Sequence, residues 1–355
     1  MRIEWVTCVM ALSLSFGLGA AEVSQPPRSP WRRMILENPQ DAKALILAFH
    51  IPREHHKYLG AGPDPVLTDY RLSLQIRRQK RVVPAEAWPV RPFVTALRDA
   101  VEHRPSSPFA DDAALILARG RMLWYNDVNG ALQELHKVVQ DYPDGHWVAE
   151  DEKWLVFTHP LLEAVFRGEP LDPDTTPGVQ GAILDYILAY NPNHTVDEAY
   201  MTIAMFYAEG YATPPERQVE YYNKVIERHA EKNRFAEDLK FLETICYYPQ
   251  GYQDWIVRHE DVALLKLMGY YQSKGDIPNA LLYARRYIEK MNGHPFRCGT
   301  VYPAMIKMEE SLGHSEAAAT YRQKLAEAER AWKKFQDMRG TREYHEKLWK
   351  RKDMP

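Results

Sequence analysis

Long apolar runs are missing from this sequence: the run from Val6 to Leu18 falls short of the roughly 20 residues a membrane-spanning helix needs. Stable membrane insertion of the mature chain is therefore not expected. Cysteine is scarce, three in 355 residues, and no two form a CxxC pair, which removes the usual zinc and haem-attachment spacings. An excess of charge of one sign is missing too. The formal net charge is −3, so no global field gathers a polyanion, and nucleic acid is not the expected partner. The sequence also lacks HExxH, GxSxG and a phosphate-cradling glycine loop ahead of Lys and Ser or Thr. No cofactor, metal or motif-based enzymology is expected.

What is present is a chain rich enough in apolar side chains, 45%, to build a sizeable core, with 21 Tyr and 9 Trp. Residues 1–21 have the layout of a cleavable secretory signal: Arg2, the apolar run, then Gly19, Ala20 and Ala21. The alternative is a buried N-terminal helix. Export to a periplasmic or extracellular compartment is the expectation, without the cysteine that lipid attachment would require. Cys8 leaves with the signal. Cys246 and Cys298 remain, either bridged in an oxidising compartment or as two buried thiols.

Residues 22–107 read as a Pro- and Ser-rich linker followed by irregular helical structure. The stretch around Tyr70 fits a strand or a helix, and helix is preferred because no partner strand is evident. From 108 to 335 a single grammar repeats. Leu115, Ala118, Met122 and Tyr125 share a helix face that Asp111 or Asp112 can cap; Asn126-Asp127 breaks it; Ala131, Leu135, Val138 and Tyr142 follow, stopping at Pro143. Thr195 and Glu198 have capping-box spacing ahead of Ala199, Ile203 and Phe206, and Pro214-Pro215 open a partner helix with Val219, Tyr222 and Ile226. A third pair turns at Gly275-Asp276 and a fourth at Gly313. Short connections make each pair an antiparallel hairpin. The last helix runs on through Ala328, Trp332 and Phe335 as a stripe that caps the open end, and residues 336–355 form a basic helical tail.

The segment from Leu264 to Ile288 resembles the tetratricopeptide-repeat family. Leu267, Tyr271, Gly275-Asp276, Ala280, Tyr283 and Tyr287 follow that family's order of apolar, aromatic, turn, alanine and aromatic positions. Ala114 to Pro143 is similar, with one extra residue before Asn126. The 195–226 unit departs, with Gln218 in place of the small crossing residue. The resemblance implies an all-α fold, an α-solenoid of antiparallel helix hairpins winding as a right-handed superhelix, whose groove holds a protein or peptide. Among family members the chain looks most similar to exported envelope proteins of bacteria. Repeat register then assigns Leu264, Tyr271, Lys274, Tyr302 and Glu309 to the groove, although the aromatics among them equally suit core packing. A binding scaffold is the leading expectation, ahead of the helical superstructure of an envelope enzyme and a structural subunit of an envelope assembly.

The remaining clusters have plainer readings. Glu310-Ser311 resembles the catalytic dipeptide of lytic transglycosylases, but it ends a repeat helix with no catalytic domain after it and reads as a surface carboxylate. Glu54 with His50, His55 and His56 fits no common metal spacing, and Arg77, Arg78, Lys80 and Arg81 read as solvated charge.

Overall fold

The computed structural model describes residues 92–145, 194–230, 234–245 and 258–348, with isolated positions 37, 38, 41 and 247. The expected signal segment and linker, the histidine and arginine clusters, and Cys246 all lie outside these residues, as do two further stretches whose sequence reads as helical, Trp147–Phe157 and Val179–Tyr190. Among the described residues every regular element is a helix. In chain order these are α1 (Pro92–Glu102), α2 (Ala110–Tyr125), α3 (Val128–Asp141), α4 (Thr195–Ala208), a 3₁₀ turn (Pro215–Arg217), α5 (Gln218–Arg228) and α6 (Arg234–Ile245). They continue with α7 (His259–Ser273), α8 (Ile277–Lys290), α9 (Pro295–Ser311), α10 (Ser315–Arg339) and α11 (Arg342–Leu348).

Consecutive helices pair as α2 with α3, α4 with α5, α7 with α8 and α9 with α10. Two of these pairs, α2 with α3 and α7 with α8, turn by the same local chemistry. Asn126 ends α2 in the left-handed region at φ 57°, and the Asp127 carboxylate then accepts the Gly130 N–H at 2.8 Å to cap α3. Gly275, at φ 75°, and Asp276, accepting the Asn279 N–H at 3.2 Å, do the same between α7 and α8. The left-handed residue satisfies orphan carbonyls of the first helix and the aspartate satisfies orphan donors of the second, so the turn needs little else.

Pairs then pack on pairs: α4 touches α2 and α3 behind it and α7 ahead of it, α5 touches α7, and α8 touches α9. This leaves the two helices of a hairpin in different surroundings. The first helices, α4 above all, are hemmed in on several sides: Val196, Ala199, Ile203, Ala204, Phe206 and Tyr207 are all buried. The second helices bury a single stripe, in α8 Ala280, Ala284 and Tyr287, and turn the other side to water. Ala280, the alanine of the family pattern, and the alanines in the first turns of α3 and α10, Ala131 and Ala318, are each fully buried. Gln218, standing where the 195–226 unit lacks that small residue, folds its side chain back so that Nε2 donates to the Pro215 carbonyl at 2.9 Å.

At Ala280, with no exposed surface, a larger side chain has nowhere to go. Ala280→Leu is expected to lower unfolding free energy by ~1–3 kcal/mol through overpacking, as read by urea denaturation; unchanged stability would mean that α7 and α8 are not in close contact there.

The chain's last long helix, α10, has 25 residues against 17 in α9. At 1.5 Å per residue it overruns its partner by about 12 Å. The overrun is covered: Trp332 lies against Phe296 with ring centroids 4.6 Å apart, and Phe335 is buried against Tyr344 of α11. Among the described residues no helix is long and apolar enough to cross a membrane.

Candidate functional site

The first helices begin with buried charge. Asp111, Asp197 and Asp261 each stand two residues before a fully buried alanine, Ala113, Ala199 or Ala263, in the first turn of α2, α4 and α7. A carboxylate there suits the positive end of the helix dipole and the orphan N–H groups. Because the next hairpin covers the same place, the acids are enclosed and must find partners across the joint.

Asp111 and Asp197 do so, as do the neighbouring acids Glu198 and Glu260. The Thr195 hydroxyl donates to Asp111 Oδ2 at 2.6 Å, tying α4 to α2. Arg119 of α2 reaches Glu198 of α4 and donates from Nε to the Thr202 hydroxyl at 2.9 Å. Asp197 accepts from Arg228 Nε at 2.8 Å and pairs with His229 Nε2 at 2.7 Å, closing α4 on α5. The other oxygen of Glu198 meets His259 at the head of α7. Glu260 holds Lys290 of α8, which also donates to the His229 carbonyl at 3.4 Å. The His194 ring stacks on His229 at 6.2 Å. A polar seam therefore ties α2 to α4, α4 to α5 and α7, and α7 to α8.

The capping box expected at Thr195 and Glu198 is not formed. His194 is the N-cap, without a side-chain cap bond, and both predicted partners serve neighbouring helices instead. Tertiary demand overrides the local option because an unpaired acid at the α4 head would be buried. Gly145 also contributes. Its carbonyl accepts the Thr195 N–H at 3.0 Å, and a Cβ at that position would collide with Asp111 Oδ2.

Electrostatics along the seam follow from burial and pairing. Burial alone would raise the Asp197 carboxyl, but His229 and Arg228 outweigh it and hold the group below the usual range. Asp261 goes the other way: burial, helped by adjacent Glu260 and opposed by Arg297, Arg258 and Lys290, lifts it to about 7. His294, the N-cap of α9, accepts the Arg297 N–H at Nδ1 and is driven down to about 4 by burial and then by Arg297. Burial likewise pushes the Cys298 thiol up to about 11, which makes it a poor nucleophile. Within the seam, carboxylate pairs with imidazole at Asp197 with His229 and at Glu198 with His259.

A second arrangement lies at the other end of the hairpins and stays partly open. The Tyr207 and Tyr221 rings stack 5.9 Å apart, and Arg217 donates to both phenol oxygens, at 2.9 and 3.0 Å. Tyr221 also meets His136 Nε2 at 3.2 Å, and Lys224 lies over the Tyr200 and Tyr221 rings at 5.5 and 4.6 Å. One hairpin on, Tyr271 stacks on Tyr283 at 5.5 Å, and the Tyr283 hydroxyl donates to Asn223 at 3.0 Å. Lys274 sits over the Tyr270 ring and pairs with Glu216 at 3.5 Å. Cations and tyrosine rings thus alternate over α3, α4, α5, α7 and α8, with Arg217, Lys274 and His136 exposed, Tyr200, Tyr270 and Tyr271 half-buried, and Tyr207, Tyr221 and Tyr283 buried beneath them.

Of the five groove residues, Lys274 is exposed and Tyr271 half-buried, and both fall on this face. The other three are corrected. Leu264 and Glu309 have no exposed surface and Tyr302 only 5%. Leu264 and Tyr302 point into the core because first helices are packed on both flanks. Glu309 is enclosed where α9 meets α10, held by Arg285 at 2.7 Å and His314 at 2.9 Å. Glu310 is a surface carboxylate paired with Arg322, and the Ser311 hydroxyl bonds back to the Met308 carbonyl at 2.7 Å. The sequence signal missed was the recurrent Asp-x-Ala at three helix heads. For Arg217, Tyr221 and Tyr270 no spacing rule pointed to the shared face. No protein-family model, curated protein or solved structure matches the chain.

Proposed function

We propose that this chain is an exported helical-repeat scaffold of the tetratricopeptide type that holds a protein or peptide partner, and that it acts by presentation rather than by chemistry. The observation that carries the reading is the division of labour among its polar residues. Those at the helix heads are consumed in joining hairpins, which fixes the stack, whereas at the opposite ends the cations Arg217 and Lys274 stay exposed over buried or half-buried tyrosine rings. Exposed Arg217 and Lys274 beside half-buried Tyr270 and Tyr271 suit a partner surface, since they offer cationic donors next to tyrosine edges held in place by the buried rings below. The leader-like residues 1–21 support export, and the family resemblance supports a curved, solenoidal arrangement.

The reading is tested by site-specific photocrosslinking in cells that produce the full chain. A crosslinker at Tyr270 or at Lys274 is expected to trap the same discrete partner band, and one at Arg330, on the exposed side of α10, is expected not to. Equal products from all three positions, or none from any, would overturn the assignment. Small-angle scattering tests the architecture separately: a maximum dimension well above that of a compact protein of this length is expected, and a compact profile would refute the solenoid.

A further inference from the structure

The chain contains two Asn-Gly dipeptides, Asn129-Gly130 and Asn292-Gly293, and the fold treats them oppositely. Asn129 and Gly130 lie in the first turn of α3, where the Gly130 N–H is bonded to Asp127 Oδ1 at 2.8 Å and Gly130 itself is buried. A Cβ at Gly130 would overlap the Asp127 side chain, so the backbone there is tightly enclosed. Asn292 and Gly293 form the turn from α8 to α9. Both are exposed, both are left-handed at φ 45° and 72°, and nothing lies within 4 Å of the space a Gly293 Cβ would fill. Gly293 stands outside both helix ladders, between the end of α8 at Lys290 and the start of α9 at Pro295.

We infer that Asn292 is a site of spontaneous, structure-selected deamidation, with Asn129 held inert by its helix. In this reaction the Gly293 backbone nitrogen attacks the Asn292 side-chain carbonyl carbon. A C–N bond forms to Gly293, the bond to the side-chain nitrogen breaks, and ammonia leaves with the proton given up by Gly293. Water then opens the five-membered succinimide at one or other carbonyl, leaving aspartate or isoaspartate at position 292. Glycine favours the attack because no side chain obstructs its nitrogen, and an exposed turn gives the chain freedom to reach the ring geometry. Helix α3 denies that freedom to Asn129, since the same motion would break its capping bond and its first turn.

The product matters to the fold. Isoaspartate adds a methylene to the main chain between the last turn of α8, where the Met291 carbonyl accepts the His294 N–H at 2.9 Å, and buried His294, which caps α9. The joint between the third and fourth hairpins is where the change would be felt.

The test is incubation of the full-length protein at mildly alkaline pH, followed by peptide mass mapping and isoaspartyl methyltransferase labelling. In the native protein Asn292 is expected to convert several-fold faster than Asn129, with isoaspartate at 292 the main product. In denaturant the two sites are expected to converge, because the dipeptides are the same. Asn292→Ser should remove most native-state label. Equal native rates, a faster Asn129, or a rate difference that persists in denaturant would each overturn the inference.

Discussion

Replacing Asp197 by alanine is expected to cost about 3 kcal/mol of unfolding free energy at neutral pH, the low end of what breaking one side of a buried ion pair produces. Asp197 has no exposed surface and serves two partners, Arg228 and His229, from α5. Its removal leaves His229, also buried, without its carboxylate, whereas Arg228 is a third exposed and can turn to water, which moderates the loss. The measurement is urea unfolding followed by far-UV circular dichroism. Lys274→Ala serves as a surface control, expected to stay within about 0.5 kcal/mol of the parent. Sign and pH window follow from the depressed carboxyl: its contribution is complete above the unfolded carboxylate range and is lost as pH falls through the lower folded value. The penalty of Asp197→Ala should therefore shrink only in strong acid. A loss no greater than that of Lys274→Ala would show that the seam does not hold α4 to α5.

The hairpins were legible in the sequence because their signals are local. A left-handed Asn or Gly followed by a capping Asp can be read within a few residues, and second helices such as α5 and α8 carry a single apolar stripe because one side faces water. First helices yield less. α4 has neighbours before, beside and after it, and α7 packs against α4 and α5 as well as its partner α8, so apolar residues surround the axis and periodicity cannot separate a groove position from a core position. Leu264 and Tyr302 were misplaced for that reason.

The seam was hidden by a different ambiguity. Acidic residues and threonine at a helix start are what local capping requires, and Thr195 with Glu198 satisfied that pattern in sequence. Whether such side chains bond to their own helix or to the next depends on what covers the helix head, which is tertiary information. Arg119, His229, His259 and Lys290 are 30 to 79 residues from the acids they meet, too far apart for any spacing rule to join them. The Asp-x-Ala recurrence was visible, yet its meaning needed the joints between hairpins.

The same seam makes a prediction of opposite sign at Asp261, whose carboxyl is lifted to about 7 mainly by burial. A raised carboxyl keeps its proton in the folded state after the unfolded chain has released one. Folding stability is then fully present below the unfolded value near 3.9, is lost as pH rises, and levels off above the folded value. Between pH 5 and pH 8 this costs the native protein roughly 3 kcal/mol, at 1.36 kcal/mol per pH unit over the two units before the plateau. Asp261→Asn keeps the shape and hydrogen-bonding capacity of the protonated acid and cannot ionise, so its unfolding free energy should lack this slope. Relative to the parent, the variant is expected to gain about 3 kcal/mol on going from pH 5 to pH 8, whatever offset the substitution itself introduces. Comparing the two at both pH values cancels that offset, and with it contributions from His294 and Asp197, which both proteins share. Parallel pH profiles would mean that Asp261 is ionised throughout this range, with Arg258, Arg297 and Lys290 compensating its charge more fully than burial opposes it.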